Sequence, residues 1–166
     1  MERILVIGCP GAGKSTLARR LHELTGIPLY HLDLIWHLPD RSHVPQDVFD
    51  ERLSEILAKD RWIIDGNYGR TLETRLDGCD TVLFLDYPLD VCLSGAEARV
   101  GKKRCDLPWV EESFDKEFRQ WILDFPATQL PQISELLARV GHEKEILVFH
   151  ARQEADEWIK TIEERT

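Results

Sequence analysis

The sequence predicts an α/β doubly wound fold with a parallel sheet, on three observations. Apolar runs of strand length recur five times along 166 residues. Stretches with helical spacing separate them. The first run passes through a glycine-rich turn straight into the first helix. Ligands of such sheets bind beyond the carboxyl ends of the strands, so the polar residues that close each strand matter most.

The first strand is Ile4-Leu5-Val6-Ile7, and Gly8-Cys9-Pro10-Gly11-Ala12-Gly13-Lys14-Ser15 follows it. This G-x-x-x-x-G-K-S pattern opens a helix over 16–25 with leucines at 17, 21 and 24. In that context it reads as a phosphate cradle; elsewhere it would be a Gly/Pro turn with an exposed lysine. Gly8, Pro10, Gly11, Ala12, Gly13 and Thr16 shape the loop and the helix start. Their N–H groups curve around an anion, and the positive helix end adds to the field. Lys14 reaches the β- and γ-phosphates and Ser15 offers its hydroxyl to Mg²⁺. Cys9 fills the loop and contributes its N–H.

The second strand spans 28–31, after Gly26 as a helix stop. A helix over 45–59 carries Val48, Leu53, Ile56 and Leu57 on one side. The third strand, 61–64, ends in Asp65-Gly66, and the fourth, 81–85, ends in Asp86. A helix over 89–100 comes next. A longer helical stretch begins near Glu111 with Phe114, Phe118, Trp121 and Phe125 in phase. Pro126 and Pro131 are expected to break it before 133–140 resumes. The fifth strand, 145–149, ends in His150, and a helix over 151–164 closes the chain. No linker or repeat divides the chain, so 1–166 reads as one domain.

Phosphoryl transfer demands positioning and charge neutralisation. Asp65 leaves a buried strand at the crevice and could orient a water on Mg²⁺, or it caps an Asp-Gly turn. Asp86 reads as a helix cap. Asp33 lies among apolar neighbours and could accept the hydroxyl proton of a phosphoryl acceptor; its alternative is also a cap. Trp36 could wall the acceptor site or simply fill core. His31 and His37 lack metal spacing and read as ordinary polar residues. Asn67, Tyr68 and Arg70 would hang over the acceptor, Arg70 with a fork suited to phosphate or carboxylate; a solvated surface arginine is the other reading. Residues 99–104, Arg-Val-Gly-Lys-Lys-Arg, are either a solvated helix end or a lid, about 99–110, whose Arg99 and Arg104 neutralise the moving group.

Hydrophobic residues make up 43% and charged residues 31%, ordinary values for a globular chain. No apolar run approaches the roughly 20 residues that span a bilayer. Strand residues begin at once, so no signal peptide is expected. The net charge of −9 disfavours direct nucleic-acid binding. Cysteines 9, 79, 92 and 105 form no C-x-x-C pair, which fits free thiols in a reducing cytoplasm. No N-K-x-D guanine reader is evident, so ATP is the expected donor.

The phosphate loop and Trp62-Ile63-Ile64-Asp65-Gly66-Asn67-Tyr68-Gly69-Arg70-Thr71 are similar to the corresponding segments of small P-loop kinases of the adenylate kinase and shikimate kinase group. Asp33-Leu34-Ile35-Trp36, Asp65-Gly66-Asn67-Tyr68 and residues 99–108 resemble more closely the DNA topology modulation proteins, FlaR-like and adenylate kinase-related. The resemblance implies a P-loop NTPase three-layer fold, with a five-stranded sheet in order 2-3-1-4-5, helices on both faces and a short mobile arginine lid. It implies Mg·ATP as donor, Lys14 and Ser15 on the nucleotide and its metal, Asp33 facing the acceptor, and Arg70 binding it. Arg99 and Arg104 would belong to the lid. Two departures weigh against adenylate kinase activity: a short segment between strands two and three without an arginine-bearing helix, and a short lid. The expected activity is γ-phosphate transfer to a small acceptor. The alternatives are a nucleoside monophosphate kinase and a nucleotide-dependent regulator of DNA topology with weak NTPase activity.

Overall fold

Residues 1–165 are described by a computed structural model. Five strands, β1 (Arg3–Gly8), β2 (Leu29–His31), β3 (Trp62–Asp65), β4 (Thr81–Leu85) and β5 (Glu145–Phe149), form one sheet in the order β2-β3-β1-β4-β5. Every neighbouring pair is parallel. This is the predicted three-layer order, with strands four and five at the predicted residues. Central β3 and β4 are buried along their whole length and β1 from Ile4 onward, as continuous apolar runs covered on both faces require.

Among the described residues six helices join the strands, α1 (Lys14–Thr25), α2 (Leu32–Trp36), α3 (Gln46–Leu57), α4 (Gly69–Gly78), α5 (Leu89–Glu97) and α6 (Lys116–Val140), and α7 (Arg152–Glu163) follows β5. α1 packs on β1 and β3 beside α7, while α4 and α5 pack on α6. Gly26 stops α1 as predicted: at φ 66° its N–H reaches the His22 carbonyl.

Three helices differ from the sequence reading, which has no helix over α2 (Leu32–Trp36). α6 begins at Lys116 rather than near Glu111, and it runs through Pro126 and Pro131 without a break. Its buried face continues across both prolines, with Ile122, Phe125, Ile133 and Leu137 in phase. That apolar stripe outweighs the roughly 3 kcal/mol that each interior proline costs. The Thr128 hydroxyl also donates to the Asp124 carbonyl at 2.9 Å, adding a side-chain bond inside the weakened stretch. α4 has no counterpart in the sequence reading. Its buried face mixes Leu72 and Leu76 with Thr71 and Arg75, so the apolar period is hidden.

The topology gathers the carboxyl ends of β1, β3 and β4 at one rim. His31 and Asp65 close adjacent strands in register, and α1 starts there at the end of the glycine-rich loop.

Candidate active site

β1 runs into a loop whose backbone only glycine permits at its closest approach. A Cβ on Gly11, φ 88°, would stand 1.9 Å from the Cys92 carbonyl oxygen of α5. The loop is clamped from three sides. The buried Asn67 carboxamide accepts from the Gly8 N–H at 3.0 Å and donates to the Gly8 carbonyl at 2.7 Å. Arg152, at the start of α7, donates to the Gly11 carbonyl at 3.1 Å. Lys14 curls over the loop and donates to the carbonyls of Gly8 at 2.9 Å and Cys9 at 3.2 Å. Burial lowers its ammonium pKa, partly offset by Asp65 and Asp33. Ala12 is buried and Thr16 exposed in the first turn of α1.

Ser15 stands between two carboxylates. Its Oγ lies 2.6 Å from Asp65 Oδ2 and 2.8 Å from Asp106 Oδ2. A hydroxyl has one proton to donate, so one of these oxygen–oxygen contacts lacks a hydrogen when both acids are ionised. His31 Nδ1 sits 2.8 Å from the same Asp65 oxygen and fixes its direction. Asp106 is 4% exposed. Burial alone would raise its carboxyl, but the Arg104 guanidinium and the Ser15 hydroxyl bring it down to about 2. Two carboxylates and the Ser15 hydroxyl, with one contact among them lacking a hydrogen, form an all-oxygen donor set that fits a hard divalent cation such as Mg²⁺.

The loop after α5 folds down over this point. Arg104 forks onto Asp106, with Nε 3.0 Å from Oδ1, and its Nη1 reaches Glu111 at 3.0 Å. The Gly101 N–H donates to the Glu111 carbonyl at 2.7 Å. Arg99 is half-buried and lines the same cavity as Lys14. Among the described residues its guanidinium makes no hydrogen bond or ion pair; burial and the neighbouring Arg104 lower its pKa.

Across the cavity, Asp33 on α2 accepts from the Tyr68 hydroxyl at 2.7 Å. Trp36 stacks on His43 with centroids 4.2 Å apart and meets Phe49 and Tyr68 edge-on. Tyr68 holds a left-handed φ of 39°, a strained conformation for an aromatic residue. Buried Arg75 secures it by donating to the carbonyls of Gly66 at 2.8 Å, Tyr68 at 3.1 Å and Asn67.

The structure thus brings Pro10, Lys14, Ser15, Asp33, Trp36, Asp65, Tyr68, Arg99 and Arg104 around one cavity of about 880 Å³. Two expected acceptor residues are placed differently. Asn67 touches the cavity, but its carboxamide is committed to Gly8. Arg70 is exposed on α4, pairs with Asp50 and does not line the cavity, because the turn of α4 carries it outward. Asp106, His31 and Arg152 are site residues the sequence reading missed. An acid two residues after Arg104 signalled the first. The strand-end register of His31 with Asp65 would have signalled the second once the strands were aligned. No sequence pattern marks Arg152.

No known family model matches the chain. A stretch of 94 residues, 55% of the chain, is 32% identical to the adenylate kinases of Thermotoga petrophila and Thermotoga maritima. It spans 42% of each of those proteins, less than half of their length. The solved shikimate kinase from Acinetobacter baumannii, in complex with shikimate, superposes with a TM-score of 0.61 over 100% of this chain and 95% of that one, at 16% identity. The fold is that of a small P-loop kinase. Within this P-loop fold, the glycine loop, Lys14 and the lining of the cavity all lie at the rim formed by the carboxyl ends of the strands. Among the described residues, no helix is long and apolar enough to cross a membrane.

Proposed function

We propose that the chain is an ATP-dependent phosphotransferase that moves the γ-phosphate of Mg·ATP to the hydroxyl of a small acceptor. The observation that carries this reading is the pairing of a phosphate loop with Asp33 across one partly closed cavity. Loop N–H groups and the start of α1 would bind the phosphates. Lys14 would exchange its two loop carbonyls for phosphate oxygens, which relieves the desolvation of its ammonium. Arg99, without a partner among the described residues, would neutralise charge growing on the transferred group. Asp33, held by Tyr68, would take the acceptor proton. Ser15, Asp65 and Asp106 would hold Mg²⁺, which when bound supplies charge neutralisation at the phosphates. The loop over 99–110 would act as a lid, with the Asp106–Ser15 contact closing it and excluding water.

The finer kinship to FlaR-like topology modulation proteins is supported by residues 33–36, 65–68 and 99–108, each of which sends residues into the lining of this cavity, Asp33 and Trp36 from the first, all of the second, and Arg99, Arg104, Asp106 and Leu107 from the third. The adenylate kinase relatives favour a second reading, a nucleoside monophosphate kinase. The test is ADP release from Mg·ATP with and without added acceptors: acceptor-dependent release supports a phosphotransferase. Release indifferent to every acceptor and equal to a slow basal hydrolysis supports a nucleotide-timed regulator instead.

A further inference from the structure

We infer that the acceptor is a hydroxyl compound without phosphate or carboxylate, carrying either a neutral planar ring or an organic cation. The inference rests on the phosphotransferase reading and names the substrate class of that same site. It comes from the charge and shape of the cavity lining outside the phosphate loop.

Asp33, Glu112 and Asp115 are among the carboxylates that line the cavity. Arg41, a cation of the same lining, is exposed and sits 3.8 Å from Glu112. His37 also lines the cavity, and burial lowers its pKa, with Asp33 opposing that shift and His43 adding to it. At neutral pH it therefore adds no positive charge. The remaining cations of the cavity are committed elsewhere. Lys14 lies on the phosphate loop and feels Arg99, and both feel Asp65. Arg104 is forked between Asp106 and Glu111. Arg70 pairs with Asp50 outside the cavity. Apart from Arg99, which the transferred phosphate would engage, an anionic acceptor would find no unpaired guanidinium among the described residues of the cavity and would face acids of its own sign, a juxtaposition that suppresses wrong partners.

The walls agree with the charge. Trp109 meets the His37 ring edge-on at 5.0 Å, and Trp36 and Tyr68 stand beside Asp33's side of the cavity. Trp121, 46% exposed, lies at the same cavity. Aromatic faces offer stacking to a flat ring and a negative quadrupole to an ammonium. Asp33 has one oxygen occupied by Tyr68 and lies within the fields of both Lys14 and His37. A hydroxyl there sits between the phosphate loop and the aromatic walls.

The test uses the full chain with saturating Mg·ATP and reads ADP release for matched pairs. Adenosine against AMP and cytidine against CMP probe the neutral ring. Choline against carnitine, which keeps a hydroxyl and a quaternary ammonium and adds a carboxylate, probes the cation, and shikimate probes a carboxylate on a ring. In at least one pair the member without phosphate or carboxylate is expected to exceed its anionic counterpart by about tenfold or more in kcat/KM. The ring arm or the cation arm that responds then identifies the body of the acceptor. Preference for a phosphate ester, for carnitine or for shikimate overturns the inference, and so does an equal response across every pair, zero included. In parallel, Glu112→Lys removes an exposed acid and frees Arg41; it should narrow the preference several-fold, and an unchanged ratio also counts against the inference. Calorimetric titration with Mg·ATP separates the two levels. No uptake brings down the phosphotransferase reading itself, whereas normal uptake with AMP preferred brings down only the acceptor class.

Discussion

Replacing Asp106 with Asn tests whether the loop over the cavity is held by charge. In the folded protein the Asp106 carboxyl sits near 2, against an ordinary 3.8. Burial works against that depression, so the Arg104 fork and Ser15 more than compensate for it. A depression of nearly two units corresponds to roughly 2 kcal/mol of stability. Because the folded value is the lower one, this contribution is complete above about pH 4 and disappears as the pH falls through about 2. Asp106→Asn should therefore lower the unfolding free energy by roughly 2 kcal/mol at neutral pH, or about 4 to 8 °C in thermal midpoint for a chain of this size. Urea titrations of both proteins between pH 7 and pH 2 read the difference directly, and the gap should narrow steadily below pH 4. A gap below about 0.5 kcal/mol at neutral pH, or one that stays constant down to pH 2, would refute the charge latch.

Other outcomes follow from the same geometry. Arg104→Ala releases Asp106 and Glu111 together and should reduce turnover more than it weakens ATP binding; equal losses in kcat and affinity would restrict Arg104 to ground-state binding. Arg70→Ala removes an exposed pair on the outer face of α4, so kcat/KM should not change measurably; a large loss would mean that Arg70 swings into the cavity. Gly11→Ala places a methyl group against the Cys92 carbonyl at a positive φ, and should lower the thermal midpoint by several degrees through roughly 1–3 kcal/mol of strain. A midpoint equal to that of the parent would show that α5 and the loop separate easily.

The phosphate loop was legible because its chemistry is written contiguously: glycines, lysine and serine follow a buried strand and open a helix. The sheet was legible for a similar reason, since each central strand is an unbroken apolar run. What escaped depends on contacts distant in sequence. Asn67 looked like an acceptor ligand, yet Gly8 lies beside it across β1 and β3 and takes its amide. Arg75 hid α4 by placing a guanidinium where the helical period expects an apolar side chain, and only the carbonyls of 66–68 explain it. Pro126 and Pro131 look like helix breakers by local propensity, whereas the packed face of α6 decides the outcome. Asp106 and Ser15 lie 91 residues apart, and their meeting is a property of how the loop after α5 folds back.

The most direct test of the whole account is isothermal calorimetry of Mg·ATP with the intact chain and with Lys14→Ala. The loop amides and the Lys14 ammonium should give one-to-one uptake in the intact chain, and the folded Lys14→Ala protein should lose most of it. Absence of uptake by the folded intact chain, or unchanged uptake by Lys14→Ala, would contradict the assignment of this loop as the seat of the phosphates.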